Sequence, residues 1–140
     1  MPTAEEFVTA ARELIGAPFQ HQGRTKNGID CVGLVLWAGK VNGLIPVAFD
    51  LPAYTLPPGA HLFDEYLPQF CDRVEGAGQV GDIAVFAAKP GGKPRHLGIV
   101  SERGVVWMDR TASVGRVSEC RLDSQMSACI VSIWRMRGLT

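Results

Sequence analysis

The chain has 140 residues, 46% of them hydrophobic and 20% charged, with lysine plus arginine and aspartate plus glutamate balanced at 14 each. That length predicts one domain over residues 1–140, in which folding removes roughly two thirds of the extended-chain surface from water, so that a core forms without covalent staples. The balanced charge, with no basic run, excludes a nucleic-acid partner, because phosphate neutralisation needs clustered positive charge.

The opening Met1-Pro2-Thr3-Ala4-Glu5-Glu6 has neither the basic nor the apolar region of a secretory signal. No apolar run approaches the roughly 18 residues of a membrane span. We therefore expect synthesis in the cytoplasm without a signal peptide, and Cys31, Cys71, Cys120 and Cys129 as thiols rather than disulfides. None belongs to a Cys-x-x-Cys pair, which argues against structural zinc, and neither a metal nor a cofactor is expected.

In chain order, Thr3 with Glu6 matches a capping box, and Phe7, Ala11, Leu14 and Ile15 recur at helical spacing up to Gly16. Residues 16–23 form a turn-rich connection carrying His21. A second helix is predicted from Cys31 to about Val41, ending at Asn42-Gly43. Pro46, Pro52, Pro57 and Pro58 forbid a continuous helix or central strand, so residues 45–60 read as an irregular excursion that can line a groove. A short helix over 61–69 follows, closed by Pro68 and the glycines at 76 and 78. From Gly81 the pattern becomes β-rich, with candidate strands at 83–87, 96–101, 105–109, 116–122 and 129–135. Pro90-Gly91-Gly92 and Glu102-Arg103-Gly104 are short enough for hairpins, so the pairing is expected to be antiparallel. Helices first and a meander second make an α+β layout with a roughly five-stranded sheet, and no repeat or linker divides it.

The stretch Gly23 to Gly33 carries the chemistry. Asp30 stands at the N-cap of the second helix, which puts Cys31 in its first turn, where free N–H groups and the helix dipole favour a thiolate nucleophile. Such a nucleophile needs a base, normally histidine. His96 opens a strand, His21 sits in the loop before the nucleophile and reaches the same cleft, and His61 reads as a surface residue. Asp109 ends the next strand and, if the two strands pair as a hairpin, lies beside His96 to orient it. Taken singly, each has a simpler reading: a buried small hydrophobe for Cys31, a strand residue for His96, a turn former for Asp109 and a cap for Asp30. Cys71, Cys120 and Cys129 read as packing residues.

Three segments resemble the NlpC/P60 superfamily of papain-like cell-wall peptidases, in particular its small phage-type branch encoded with tail genes. Gly16-Ala17-Pro18-Phe19-Gln20-His21-Gln22-Gly23 is similar to that branch's Gly-Thr-Pro-Tyr-x-His-Gln segment. Gly28-Ile29-Asp30-Cys31-Val32-Gly33-Leu34-Val35 is similar to its nucleophile motif. Gly81-Asp82-Ile83-Ala84-Val85-Phe86, followed by His96-Leu97-Gly98-Ile99-Val100, is similar to its Gly-Asp strand and base strand, and the tail from Gly115 fits as well.

The resemblance implies a papain-like NlpC/P60 fold and hydrolysis of an amide bond in the peptidoglycan stem peptide, typically between D-glutamate and a diamino acid. It implies Cys31 as nucleophile, His96 as general base and then acid, and Asp30, His21 and Phe19 as substrate-binding positions. The implied setting is a phage or prophage tail that opens the wall locally, with tail hub or tip proteins as partners. Three positions differ from the family pattern. Asp109 stands where a third catalytic histidine is usual, with Met108 as the other register. Phe19 replaces a tyrosine, and Val32 a serine. Phe19 and the missing third histidine motivate an alternative, a catalytically weak tail-tip component that binds stem peptides or tail-hub proteins; a redox thiol protein is a separate and more distant one.

Overall fold

A computed structural model describes residues 1–110 and 115–140. Helix α1 spans Ala4–Arg12, with the expected capping box between Thr3 and Glu6. Its periodic pattern continues to Ile15, but the chain leaves the helix after Arg12 and turns through residues 13–16. A two-residue hairpin, β1 (Arg24–Thr25) and β2 (Gly28–Ile29), leads into α2 (Cys31–Val41). The start and end of α2 fall where Asp30 and Asn42 predict them. The helix is apolar nearly all round and accordingly buried from Cys31 to Leu36. Each fully buried leucine on it contributes about 1.5–3 kcal/mol.

Helix α3 (Ala60–Phe70) keeps Pro68 inside its last turn instead of ending before it. The open carbonyls of that last turn are met from outside: the Arg137 guanidinium donates to the oxygens of Pro68 (3.0 Å) and Gln69 (2.5 Å), and also to that of Cys71 (2.9 Å), where β3 begins. The remaining elements are β3 (Cys71–Val74), β4 (Ile83–Ala87), β5 (Pro94–Ser101), β6 (Gly104–Asp109), β7 (Arg116–Cys120), α4 (Ser124–Ala128) and β8 (Ile130–Met136).

The strands form one antiparallel sheet in the order β3-β8-β4-β5-β6-β7. It has six strands rather than about five, because β3, an edge strand unmarked in the sequence, adds to the predicted set. Alternation splits the sheet between two apolar layers. Leu97, Ile99, Val106 and Met108 pack with α1, α2 and α3, while Ala84, Phe86, Val100, Val105 and Ile133 form a second cluster with Trp107, Met126 and Cys129.

The Gly81-Asp82 pair anchors the sheet. Gly81 turns with φ +92°, and the buried Asp82 carboxylate accepts from both arms of Arg135 at 2.8 and 2.9 Å and from the main-chain N–H of Gln79 at 2.8 Å. This ties the start of β4 to β8.

Candidate active site

One end of the sheet, where β4 and β6 finish and β5 and β8 begin, opens into a cleft of about 660 Å³. All six residues singled out from sequence line it: Cys31, His96, Asp109, Asp30, His21 and Phe19. Leu56, Pro57 and Pro58 from the proline-rich excursion form part of its wall, as that segment's composition suggests. His61 lies exposed outside it. Cys71 is buried elsewhere in the core, whereas Cys129, read from sequence as packing, also borders the cleft.

Cys31 is placed by its neighbour. The Asp30 carboxylate accepts from the main-chain N–H of Gly33 at 2.8 Å, closing the N-cap, and from the N–H of Gln22 at 2.8 Å and Arg24 Nη1 at 3.0 Å. The Tyr54 hydroxyl donates the fourth bond. Arg24 in turn donates to the Tyr54 hydroxyl at 3.1 Å and to Asp50 at 3.0 Å. Asp30 therefore enters the cleft wall with both oxygens saturated, locking the helix start to the β1–β2 hairpin and to the excursion. His21 belongs to the same lattice, since its Nε2–H donates to the Tyr54 carbonyl at 2.9 Å and its ring meets the Tyr54 ring edge-on.

The electrostatics correct one expectation. Burial pushes the Cys31 thiol up to about 12, and the Asp30 charge adds to that. The main-chain N–H groups of Leu97, Val32 and Cys31 itself favour the thiolate but do not prevail. The resting group is a thiol, not the thiolate that the helix start alone suggests.

His96 is pulled down to about 4, first by burial and then by the charges of Arg110 and Arg95. At neutral pH it is an uncharged imidazole, able to accept a proton. One ring nitrogen donates to the main-chain carbonyl of Met108, which opposes the shift, and Asp109 opposes it more weakly. A carbonyl on one nitrogen leaves the other as the basic one. The Met108 side chain is buried on the helix face, so Met108 meets the imidazole through its main chain, while Asp109 acts on the ring as a nearby charge.

Trp107 packs against the imidazole with ring centroids 5.2 Å apart and against Phe86 at 5.2 Å. Gly98 makes this possible, because a Cβ there would lie 2.9 Å from Trp107 Cβ and 2.7 Å from Val105 Cγ2. Sequence reasoning missed Trp107, Tyr54 and two cleft arginines, Arg95 and Arg110. Arg110 was the most accessible of these, being adjacent to Asp109. Nothing local connects Tyr54 to Asp30. Among the described residues, no group of three or more His, Cys, Asp or Glu side chains is arranged to hold a metal ion.

Neither a family model nor a curated protein sequence matches the chain. Solved structures do. An NlpC/P60 family protein from Bacillus cereus superposes over 97% of this chain with TM-score 0.69 at 18% identity. The chain has the NlpC/P60 fold. The NlpC/P60 domain of the peptidoglycan hydrolase SagA matches over 96% of this chain and 99% of its own length, with TM-score 0.61 and 19% identity. A lipoprotein-like NLP/P60 family protein from Staphylococcus aureus covers 95% of this chain with TM-score 0.60 and 19% identity. The chain spans 41% of the Bacillus cereus chain and 41% of the Staphylococcus aureus one, so it corresponds to one NlpC/P60-fold unit within them. No helix among the described residues is long and apolar enough to cross a membrane.

Proposed function

We propose that this chain is a cysteine peptidase of the NlpC/P60 superfamily that hydrolyses amide bonds in peptidoglycan stem peptides. The observation that carries the reading is the juxtaposition of Cys31 and His96 in one cleft, with the Cys31 sulfur within hydrogen-bonding reach of the N–H of Leu97, the residue after His96. The fold shared with the SagA domain supports it.

Because both groups are uncharged at rest, His96 acts as a general base during the attack. It takes the proton from Sγ as the sulfur bonds to the carbonyl carbon, and the N–H groups of Cys31 and Val32 at the helix start face the resulting oxyanion. The imidazolium, held by the Met108 carbonyl and favoured by Asp109, then protonates the leaving amine and a thioester remains. Water, deprotonated by His96, hydrolyses that thioester and regenerates the thiol. His21, Phe19 and Asp30 are proposed to shape the substrate's side of the cleft, Asp30 through the groups it holds in place.

The tail-associated setting, with hub or tip proteins as partners and action at the cell wall, rests on the phage-type resemblance of the sequence segments. A second reading, a stem-peptide-binding component with weak catalysis, is favoured by the raised Cys31 thiol and by Phe19, which lacks a hydroxyl. Digestion of purified sacculi separates the two. The peptidase reading expects soluble stem-peptide fragments, and sacculus binding with no release at any pH between 5 and about 9 would overturn it.

A further inference from the structure

The proline-rich excursion is held to the body at few points. Among the described residues, no main-chain to main-chain hydrogen bond joins residues 50–58 to another segment. Leu51 packs against the core at one end and Pro58 is buried at the other. Between them Pro52, Ala53, Thr55, Leu56 and Pro57 are exposed, and Tyr54 is partly buried. Leu56, Pro57 and Pro58 nevertheless form part of the cleft wall. Between its two ends, the position of that wall depends on one residue.

The Tyr54 hydroxyl donates to Asp30 and accepts from Arg24 at 3.1 Å, and the Tyr54 carbonyl accepts from His21 at 2.9 Å and Gln22 at 3.1 Å. All four partners lie within residues 21–30, the segment that ends at the N-cap of the helix carrying Cys31. The wall is thus fastened to the segment that places the nucleophile. The two sides of this joint are unequal. Without the Tyr54 hydroxyl, Asp30 still accepts from Gly33, Gln22 and Arg24, so the helix start keeps its cap. The arch over 52–57 would lose both of its charge-assisted bonds, which are the stronger kind, and keep the carbonyl contacts.

We propose that Tyr54 is a positioning residue, a latch that fixes the 52–57 arch as a wall of the cleft and so sets how tightly substrate is held, without taking part in bond breaking. A latched wall is ordered before the substrate arrives, so binding does not have to order it. The coupling is reciprocal, and a peptide in the cleft in turn holds the arch in place. The effect on substrate rests on the peptidase reading, whereas the latch itself does not.

The test uses a protease site already in the arch. Within residues 50–59, Leu51 and Leu56 each precede a proline, which blocks chymotrypsin, and the bond after Tyr54 is open to it. Tyr54→Phe keeps that site, the ring against His21 and the carbonyl. Loss of a hydrogen bond to a charged group shifts an equilibrium by about 10-fold or more, and cleavage follows the open population when opening is fast. Cutting after residue 54 should therefore be about 10-fold faster in Tyr54→Phe than in the wild type, and confined to that bond. On the full chain carrying Cys31→Ala, adding Tyr54→Phe should weaken binding of a synthetic stem peptide by about 10-fold, and saturating peptide should slow the cut to near the wild-type rate. With Cys31 present, the loss should appear in KM, with kcat changed by less than about 2-fold. Equal cutting of both chains, cuts spread over the molecule, no binding of the peptide, a cut that bound peptide does not slow, or a loss in kcat at constant KM would overturn the proposal. The expected cutting and protection, without hydrolysis of the peptide by the wild-type chain, would support the latch and remove the peptidase reading.

Discussion

Replacing His96 with glutamine should lower kcat/KM on a stem peptide by about 10³-fold, within the range that a positioned acid–base group supplies. The expectation is large because a buried thiol held up to about 12 offers almost no thiolate at neutral pH. The proton must leave during attack, and His96, uncharged at neutral pH and lining the same cleft, is the base of the proposed mechanism. Glutamine keeps a polar side chain of similar reach next to Trp107, so the fold should survive.

The same variant has a signature in stability. The folded pKa of His96, about 4, lies below the ordinary value of 6.5, so between those two pH values the unfolded chain binds more protons. Its contribution to stability is complete above pH 6.5 and is lost as pH falls towards 4. His96→Gln should therefore lose less Tm than the wild type over that window. A drop in kcat/KM smaller than about 10-fold, or an unchanged pH profile of Tm, would move the base to His21, and His21→Gln would then carry the large loss.

The second large effect is structural. Asp30→Ala removes the acceptor of four hydrogen bonds in a buried setting, including the N-cap of the helix that begins at Cys31. Loss of a cap costs about 1 kcal/mol, and breaking a buried ion pair costs about 3–5 kcal/mol because the remaining charge is left behind. Arg24 keeps Asp50 and the Gly23 carbonyl as partners, which puts the sum nearer about 3 kcal/mol and the fall in Tm at about 10 °C. Asp30→Asn retains an acceptor for the Gly33 N–H but not the charge for Arg24, so it should fall between. A Tm change below about 2 °C for Asp30→Ala would mean that the Arg24–Tyr54–Gln22 lattice holds the helix start without it.

Much of this arrangement could be read locally. The cap and helix start around Asp30 and Cys31, the period-2 apolar runs of the sheet and the short turns between its strands are all written in neighbouring residues. The β5–β6 pairing is local as well, and its ladder ends at Gly98 and Trp107, short of His96 and Asp109, which share the cleft. What escaped was decided at long range. Tyr54 meets Asp30 across a proline-rich excursion with no periodicity. The β3 edge follows a helix whose last-turn carbonyls, those of Pro68 and Gln69, are met by Arg137, remote in sequence. Helix α4 is five residues long, too short to show a pattern. The thiolate expectation failed for the same reason, because the helix start is a local feature and the burial that outweighs it comes from the whole fold.

The central claim is that Cys31 is the nucleophile. The most direct measurement mixes the wild-type chain and Cys31→Ala with a defined stem peptide and follows both peptide cleavage and the intact mass of the protein after acid quenching. The expected result is cleavage by the wild type, with a transient mass increase on Cys31 equal to the acyl half of the peptide, and neither cleavage nor adduct with Cys31→Ala. Cleavage retained by Cys31→Ala, or an adduct mapped to Cys129 on the same cleft, would contradict it.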